Sequence, residues 1–427
     1  MKTKISVIVV TFVGLLIFLS CSPGIEYVPP SSISTSTETV KPQTPTPILA
    51  TSTRSIDSNC VSVAKRPFEQ MSAPGKIILS ALPPFTAPSY LVDLKSGEKV
   101  ALPQEKNKII VFSSYSISPR GKWLAYAQVN ANRDDVFNET LHVVTADGIE
   151  HATVSKNINQ RGSVWIDNTQ LIVENLRKNW SPPETEATLW LLNPFTGEMK
   201  ELFNDYPNQW NGDNLFWKFD LSRVIYNPTL TRVIYPTFVK PDRIIRLVDI
   251  ETKETLADIP TTDYGKFPAW SSDGERLAFA TQTDKSLQSD QDEIFILAAD
   301  GKLAQLTHVS KTSGYSYITG LAWSPDSQRI AFWVNNTDAT KGYTGVHLAI
   351  VDTDTGEAQE YCNIGDSDST VYIPEWGSPI WSPDGKYLLL NLHDPNDEQH
   401  TFVVLLEIAT GDVFQISENY NAVGWLR

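Results

Sequence analysis

Short stretches of alternating apolar and polar residues, each cut off by a tight turn, run along the chain from Gly75 to Arg427. Alternation with period two predicts strands rather than helices. The stretches also repeat one another. AWSSDGERLAFAT from Ala269, AWSPDSQRIAFWV from Ala322 and IWSPDGKYLLLNL from Ile380 each give a large apolar residue, a turn and an alternating strand. Degenerate copies read ISPRGKWLAYAQ from Ile117, WIDNTQLIVEN from Trp165 and YNPTLTRVIYP from Tyr226. The turn chemistry has a physical basis: Pro presets φ, Gly accepts positive φ, and Asp bonds its own nearby backbone.

A second turn recurs in phase with the first. It reads Ser96-Gly97, Asp147-Gly148, Thr196-Gly197, Thr252-Lys253, Asp300-Gly301, Thr355-Gly356 and Thr410-Gly411. The second residues lie 51, 49, 56, 48, 55 and 55 positions apart. The apolar anchors Ile117, Trp165, Tyr226, Trp270, Trp323, Trp381 and Trp425 are spaced 48, 61, 44, 53, 58 and 44 residues apart. A fixed period of this size marks a repeat architecture, and four short strands per repeat make it an all-β, seven-bladed β-propeller. Six or eight blades are the alternatives. Trp425 opens a repeat that the chain does not finish, whereas GKIILSA from Gly75 and SYLVDLKSGEKVAL from Ser89 supply second, third and fourth strands. The two termini are therefore expected to complete one blade together, which protects the edges an open array would expose.

The first residues stand apart from this pattern. Lys2 and Lys4 precede an apolar run of 15 residues, Ile5–Leu19, the layout of a secretory signal and too short for an ordinary membrane span. Phe18-Leu19-Ser20-Cys21 resembles the lipobox of bacterial lipoproteins, although that family usually has Leu where Phe18 stands. The resemblance implies lipidation at Cys21; an ordinary cleaved secretory signal is the other reading. Residues 21–58 are rich in Ser, Thr and Pro, which cannot bury enough apolar surface to offset ordering entropy, and read as a tether. The expected division is thus residues 1–20 signal peptide, 21–58 tether and 59–427 propeller. With Cys21 lipidated, Cys60 and Cys362 remain of the three cysteines. In an oxidising compartment they either pair or stay separate thiols.

Composition narrows the partners. The formal net charge is −15, and removing residues 1–20 with their two Lys gives −15 − 2 = −17. That opposes nucleic acid and any direct docking on an anionic membrane, so membrane contact is expected only through the anchor. From Gly75 to Arg427 there are 353 residues, about 50 per blade, which fits one monomeric domain. Several of the twelve Trp are repeat anchors, and those read as core.

The WSPDG turn, followed by a V-D-x-x-T-G or A-D-G hairpin and by AQLTHVS after Gly301, resembles the TolB-type, WD-repeat-like propeller repeats of bacterial periplasmic proteins. The resemblance covers nearly all of residues 75–427. It implies an extracytoplasmic propeller in the bacterial envelope, but it spans functions: Tol-system scaffolds, non-catalytic propellers of prolyl-oligopeptidase-like peptidases, sugar-active lyases and many lipoproteins. The α/β domain that precedes the propeller in TolB is not seen in this sequence.

Catalytic motifs do not emerge. Gly314-Tyr315-Ser316-Tyr317-Ile318 lacks the final Gly of a nucleophile elbow, and no P-loop, H-E-x-x-H or C-x-x-C occurs. Asp352-Thr353-Asp354-Thr355-Gly356-Glu357 begins like a calcium loop but sits on the repeat's own hairpin. The residues from His393 to His400 bring two His and three acids into what reads as one loop, a donor set suited to zinc or equally an exposed connection. No cofactor or resident metal is expected.

Long segments between strands promise more. In a propeller the loops between second and third strands and those between blades share one face. The long segments begin at Leu176, Asn204, Thr307 and Asn363, and they carry Trp180, Tyr206, Trp210, Tyr315, Tyr317, Tyr372 and Trp376. Exposed aromatics with polar neighbours suit an envelope protein, a peptide or a glycan; tucked inward, they would plug the channel mouth. The reading is a lipid-anchored binding propeller. The alternative is an enzyme acting on polysaccharide or peptide, with Arg177, His308 and Asp366 as candidates at the channel mouth.

Overall fold

The computed structural model describes residues 62–63, 73–82, 87–112, 116–130, 140–154, 158–176, 187–202, 224–239, 242–260, 268–282, 291–298, 301–310, 317–336, 345–361, 377–394 and 397–427. The chain divides into Met1–Thr46 and Pro47–Arg427, and every described residue belongs to the second unit. The lipobox, Cys21, Cys60 and Cys362 all lie outside the described residues, as does the whole tether. None of the described helices is long and apolar enough to cross a membrane.

Pro47–Arg427 forms seven antiparallel sheets. Blade 1 takes its inner strand from the C-terminus, Tyr420–Leu426, and the rest from Lys76–Ala81, Tyr90–Asp93 and Lys99–Ala101. Blade 2 comprises Lys108–Val111, Leu124–Asn130, Thr140–Val144 and Glu150–Val154. Blade 3 comprises Ile158–Trp165, Leu171–Leu176, Ala187–Leu192 and Met199–Glu201. Blade 4 comprises Ile225–Tyr226, Arg232–Val239, Asp242–Asp249 and Thr255–Pro260. Blade 5 comprises Ala269–Trp270, Arg276–Gln282, Asp292–Ala298 and Leu303–Gln305. Blade 6 comprises Tyr317–Trp323, Arg329–Asn336, Gly345–Asp352 and Ala358–Tyr361. Blade 7 comprises Ile380–Trp381, Tyr387–Asp394, Asp397–Glu407 and Asp412–Glu418.

The core is not one mass but seven seams. Each apolar cluster draws its side chains from two sequential blades, and the series closes with a cluster joining blade 7 to blade 1. This is a closed seven-bladed propeller. Middle strands are buried on both faces because each face meets a neighbouring blade: Leu124 to Val129 are all buried. Outer strands such as Lys99–Ala101 and Leu303–Gln305 are half exposed or more.

All seven hairpins expected from the sequence have their second residue at positive φ: Gly97, Gly148, Gly197, Lys253, Gly301, Gly356 and Gly411. Lys253 bears the strain of a side chain in that region. Closure also follows the expected route. Ile77 pairs with Trp425 and Lys76 with Leu426. Beside the irregularity between Ile78 and Leu79, the Asn391 side chain of blade 7 holds the Ala422 backbone: its Oδ1 accepts from Ala422 N at 2.7 Å and its Nδ2 donates to Ala422 O at 3.0 Å. Arg427 N donates to Gly121 O at 2.7 Å, and its guanidinium donates to Pro383 O at 2.7 Å, so the last residue touches blades 2 and 7. Only glycine suits position 75, where φ is +79° and a Cβ would lie 2.1 Å from Leu426 O.

One element was not legible in the sequence. Ser62–Val63 runs parallel to Asp412–Val413, adding a fifth strand to blade 7 rather than starting blade 1.

Candidate functional site

Strand direction sorts the connections into two ends. Turns after inner strands and hairpins before outer strands lie at one end; second-to-third loops and between-blade connections lie at the other.

The turn end is built from one device used repeatedly. Ser271, Ser324 and Ser382 hydroxyls bond the Asp273, Asp326 and Asp384 carboxylates at 2.5, 2.5 and 2.7 Å. The same hydroxyls accept from Arg276 N, Arg329 N and Tyr387 N, each at 2.9 Å. Partial burial pushes the Asp326 carboxyl up, but the Ser324 hydroxyl, the Gln328 N–H and the Arg329 charge outweigh it and leave its pKa lowered. Seams are clasped from both sides. Trp165, Trp323 and Trp381 donate Nε1 to Ser116 O, Ala269 O and Ala322 O of the preceding blade at 3.0, 2.9 and 2.9 Å. Arg329 reaches forward to Gly385 O at 2.8 Å and lies 4.8 Å from the Trp381 ring centre. Arg276 bonds Ser327 O and Thr353 Oγ1 and lies 5.0 Å from Trp323. In blade 2 an aromatic does this work: Trp123 packs 4.9 Å from Phe195 of blade 3, which explains why that Phe stands on a turn.

Asp352 belongs to this machinery. Its Oδ1 accepts from Asp354 N at 3.0 Å and Thr355 N at 2.9 Å, as Asp93, Asn193 and Asp249 do in their own hairpins. Asp93 and Asp249 are the equivalent acids of other hairpins, and all three are turn caps rather than the start of a calcium loop. The His393–His400 stretch is also not a loop. His393 lies opposite Thr401 and Asp394 opposite Asp397, so the pair of strands continues almost to the tip, with only residues 395–396 between them. His400 packs 4.4 Å from the Phe402 ring and its Nε2 is 3.8 Å from Glu418. Among the described residues no group of three His, Cys, Asp or Glu could hold a metal ion.

At the loop end, Trp180, Tyr206, Trp210, Tyr315, Tyr372 and Trp376 lie outside the described residues, with Arg177 and Asp366. Tyr317 is described. It opens the inner strand of blade 6, opposite Asn335, and is half-buried. His308 is exposed, its Nδ1 2.9 Å from the Gln305 amide nitrogen. Around these two residues the backbone is held by buried acids. Glu293 Oε2 accepts from Thr307 Oγ1 at 2.7 Å and Val309 N at 2.9 Å, while Oε1 accepts from Ser310 N at 2.9 Å and Ser310 Oγ at 2.6 Å. Asp292 Oδ2 accepts from Ile318 N at 3.0 Å. Sequence reading missed both acids. The available signal was a pair of acids opening an apolar strand, with Thr307 and Ser310 downstream.

Two other polar groups are buried in the blades. Tyr126 stacks on His142 at 5.3 Å, and His142 Nδ1 lies 2.6 Å from Glu150 Oε2. Burial and the Glu150 charge raise the Tyr126 pKa. His347 Nε2 approaches Glu360 to 3.6 Å, yet burial takes His347 down to about 4 and Glu360 up, so the imidazole is uncharged at neutral pH.

No family model matches the sequence, and no curated protein matches it. Solved structures show the likeness. Oligogalacturonate lyase from Vibrio parahaemolyticus is 16% identical, with 80% of this chain and 86% of that one covered and a TM-score of 0.50. TolB from Acinetobacter baumannii is 12% identical, with 79% of each chain covered and a TM-score of 0.44. Pyrococcus horikoshii acylaminoacyl peptidase is 14% identical over 80% of this chain and 50% of that one, at a TM-score of 0.48. Identities this low speak for the propeller fold alone.

Proposed function

We propose that this chain is a lipid-anchored, extracytoplasmic bacterial propeller that binds a protein, peptide or glycan of the cell envelope on its loop-bearing end. One observation carries the reading: the two ends differ in kind. The turn end is repeated, capped and clasped, whereas the connections assigned by strand direction to the other end are long and non-repeating in sequence, and the sequence puts Trp180, Tyr206, Trp210, Tyr315, Tyr317, Tyr372 and Trp376 in them. Long connections on a rigid scaffold are where binding residues concentrate. Aromatic faces beside polar groups suit sugar rings and peptide side chains. Cys21 supplies the anchor, residues 22–58 the tether, and the acidic mature chain leaves nucleic acid out of the partner set.

The cysteine pair belongs here as well. Cys60 precedes the strand docked on blade 7, and Cys362 follows the outer strand of neighbouring blade 6, so a Cys60–Cys362 bond would link adjacent blades.

The test uses the full chain in membranes. Cys21→Ala is expected to release the protein into the soluble fraction and abolish fatty-acid labelling. The released protein is then offered an insoluble cell-wall fraction and a glycan array. Unchanged membrane partition sinks the anchor, and no retention on either probe removes glycan from the partner classes.

A further inference from the structure

We infer that Asp292 and Glu293 are positioning residues of the loop-bearing end: together they pin both roots of the connection between blades 5 and 6. The inference rests on the binding role proposed for that end.

The two acids are adjacent on one strand and are 0% and 1% exposed. Taking a carboxylate out of water is unfavourable unless hydrogen bonds replace its hydration. Here they do. Glu293 fills its acceptor sites with four bonds, all from Thr307, Val309 and Ser310, where the chain leaves blade 5. Thr307 Oγ1 in turn accepts from Ile294 N at 2.9 Å, tying this exit to the strand beside it. Asp292 takes the amide of Ile318, where the chain enters blade 6. Lys311–Ser316 lies between the two pinned points, and Tyr317 sits one residue before the second.

The repeat itself does not call for these acids. Counting back five residues from the hairpin-closing N–H of Ala298 reaches Glu293. The same count from Thr145 in blade 2 reaches Thr140, and from Asp352 in blade 6 reaches His347. Those blades form the same four-stranded sheets without a buried acid there. The acids therefore serve the connection and not the sheet. Thr307 to Ser310 and Tyr317 are thereby held in place before a ligand arrives, which is how preorganisation raises affinity.

Hydrogen exchange on the full chain tests this. Glu293→Gln places an amide N–H₂ against donors and is expected to speed exchange at Val309 and Ser310 by about tenfold or more, as loss of a charge-assisted bond does. Asp292→Asn should act likewise at Ile318, and trypsin should cut faster after Lys311. Amides of blades 1 and 7 should exchange as in the parent. If Glu293→Gln does not fold, Glu293→Thr, which installs the residue found in blade 2, replaces it. Unchanged exchange at these amides, or acceleration spread over all blades, overturns the inference. Retention on an insoluble cell-wall fraction gives the second reading. Tyr317→Ala and Glu293→Thr should weaken it together; weakening by Tyr317→Ala alone overturns positioning while leaving the binding role intact. A parent that is not retained contradicts wall binding, and exchange still decides whether the acids hold the two roots.

Discussion

The two ends of the propeller meet the same sheets under different rules. At the turn end blades 5, 6 and 7 meet one problem, a tight reversal between packed strands, with the same Ser–Asp pair, and blades 5 and 6 add a forward-reaching Arg. At the loop end no such problem recurs, and each connection differs from the next in length and content. Repetition therefore marks stability in this molecule, and departure from repetition marks where selection for something else has acted. Glu293 illustrates the point, because it is a non-repeating residue held at high desolvation cost under a non-repeating connection.

The largest effect should come from the seam where the turn-end rules meet the termini. Deleting Ala422–Arg427 removes Trp425, the Ala422 backbone held by Asn391, and the Arg427 contacts with Gly121 and Pro383. Loss of one buried large aromatic alone costs about 3–5 kcal/mol, against a typical net stability of roughly 5–15 kcal/mol. The truncated chain should show no cooperative melt by circular dichroism near the parent's midpoint. A parental melt would mean the C-terminus does not close the ring.

A smaller effect should follow from one clasp. Arg329→Ala removes a charged donor to Gly385 O and a guanidinium held over Trp381. An expected loss of about 1–3 kcal/mol in urea unfolding matches one charge-assisted bond plus a partly exposed cation–π contact. No loss would make the clasp ornamental and weaken the claim that the turn end holds the seams.

The fold was legible in the sequence because its signals are local and repeated. Each hairpin needs positive φ at one residue, so Gly97 through Gly411 could be counted without knowing which strands meet. Trp270 and Trp323 announce inner strands because each is a large apolar residue standing directly before the repeated turn. The fifth strand of blade 7 was not legible, since Ser62–Val63 is too short to show a period and pairs with residues 350 positions away. The His393–His400 stretch misled for a related reason. Its polarity reads as a loop, but Asp397–Glu407 pairs along Tyr387–Asp394, and pairing outweighs local composition. At the loop end, burial of Asp292 and Glu293 depends on partners that arrive from 14 to 26 positions further along the chain, which periodicity does not encode.

The central claim is that stability resides in the repeated positions and binding in the non-repeated ones. Thermal melting and retention on an insoluble cell-wall fraction, measured together on Trp323→Ala and Trp376→Ala, test it most directly. Trp323 is 8% exposed and bridges to Ala269 O. Its loss should cost about 3–5 kcal/mol. Trp376→Ala should leave the melting temperature nearly unchanged and weaken retention by about 2 kcal/mol or more if its ring is a binding platform. Equal destabilisation by the two substitutions, with no separate change in retention, would contradict the division.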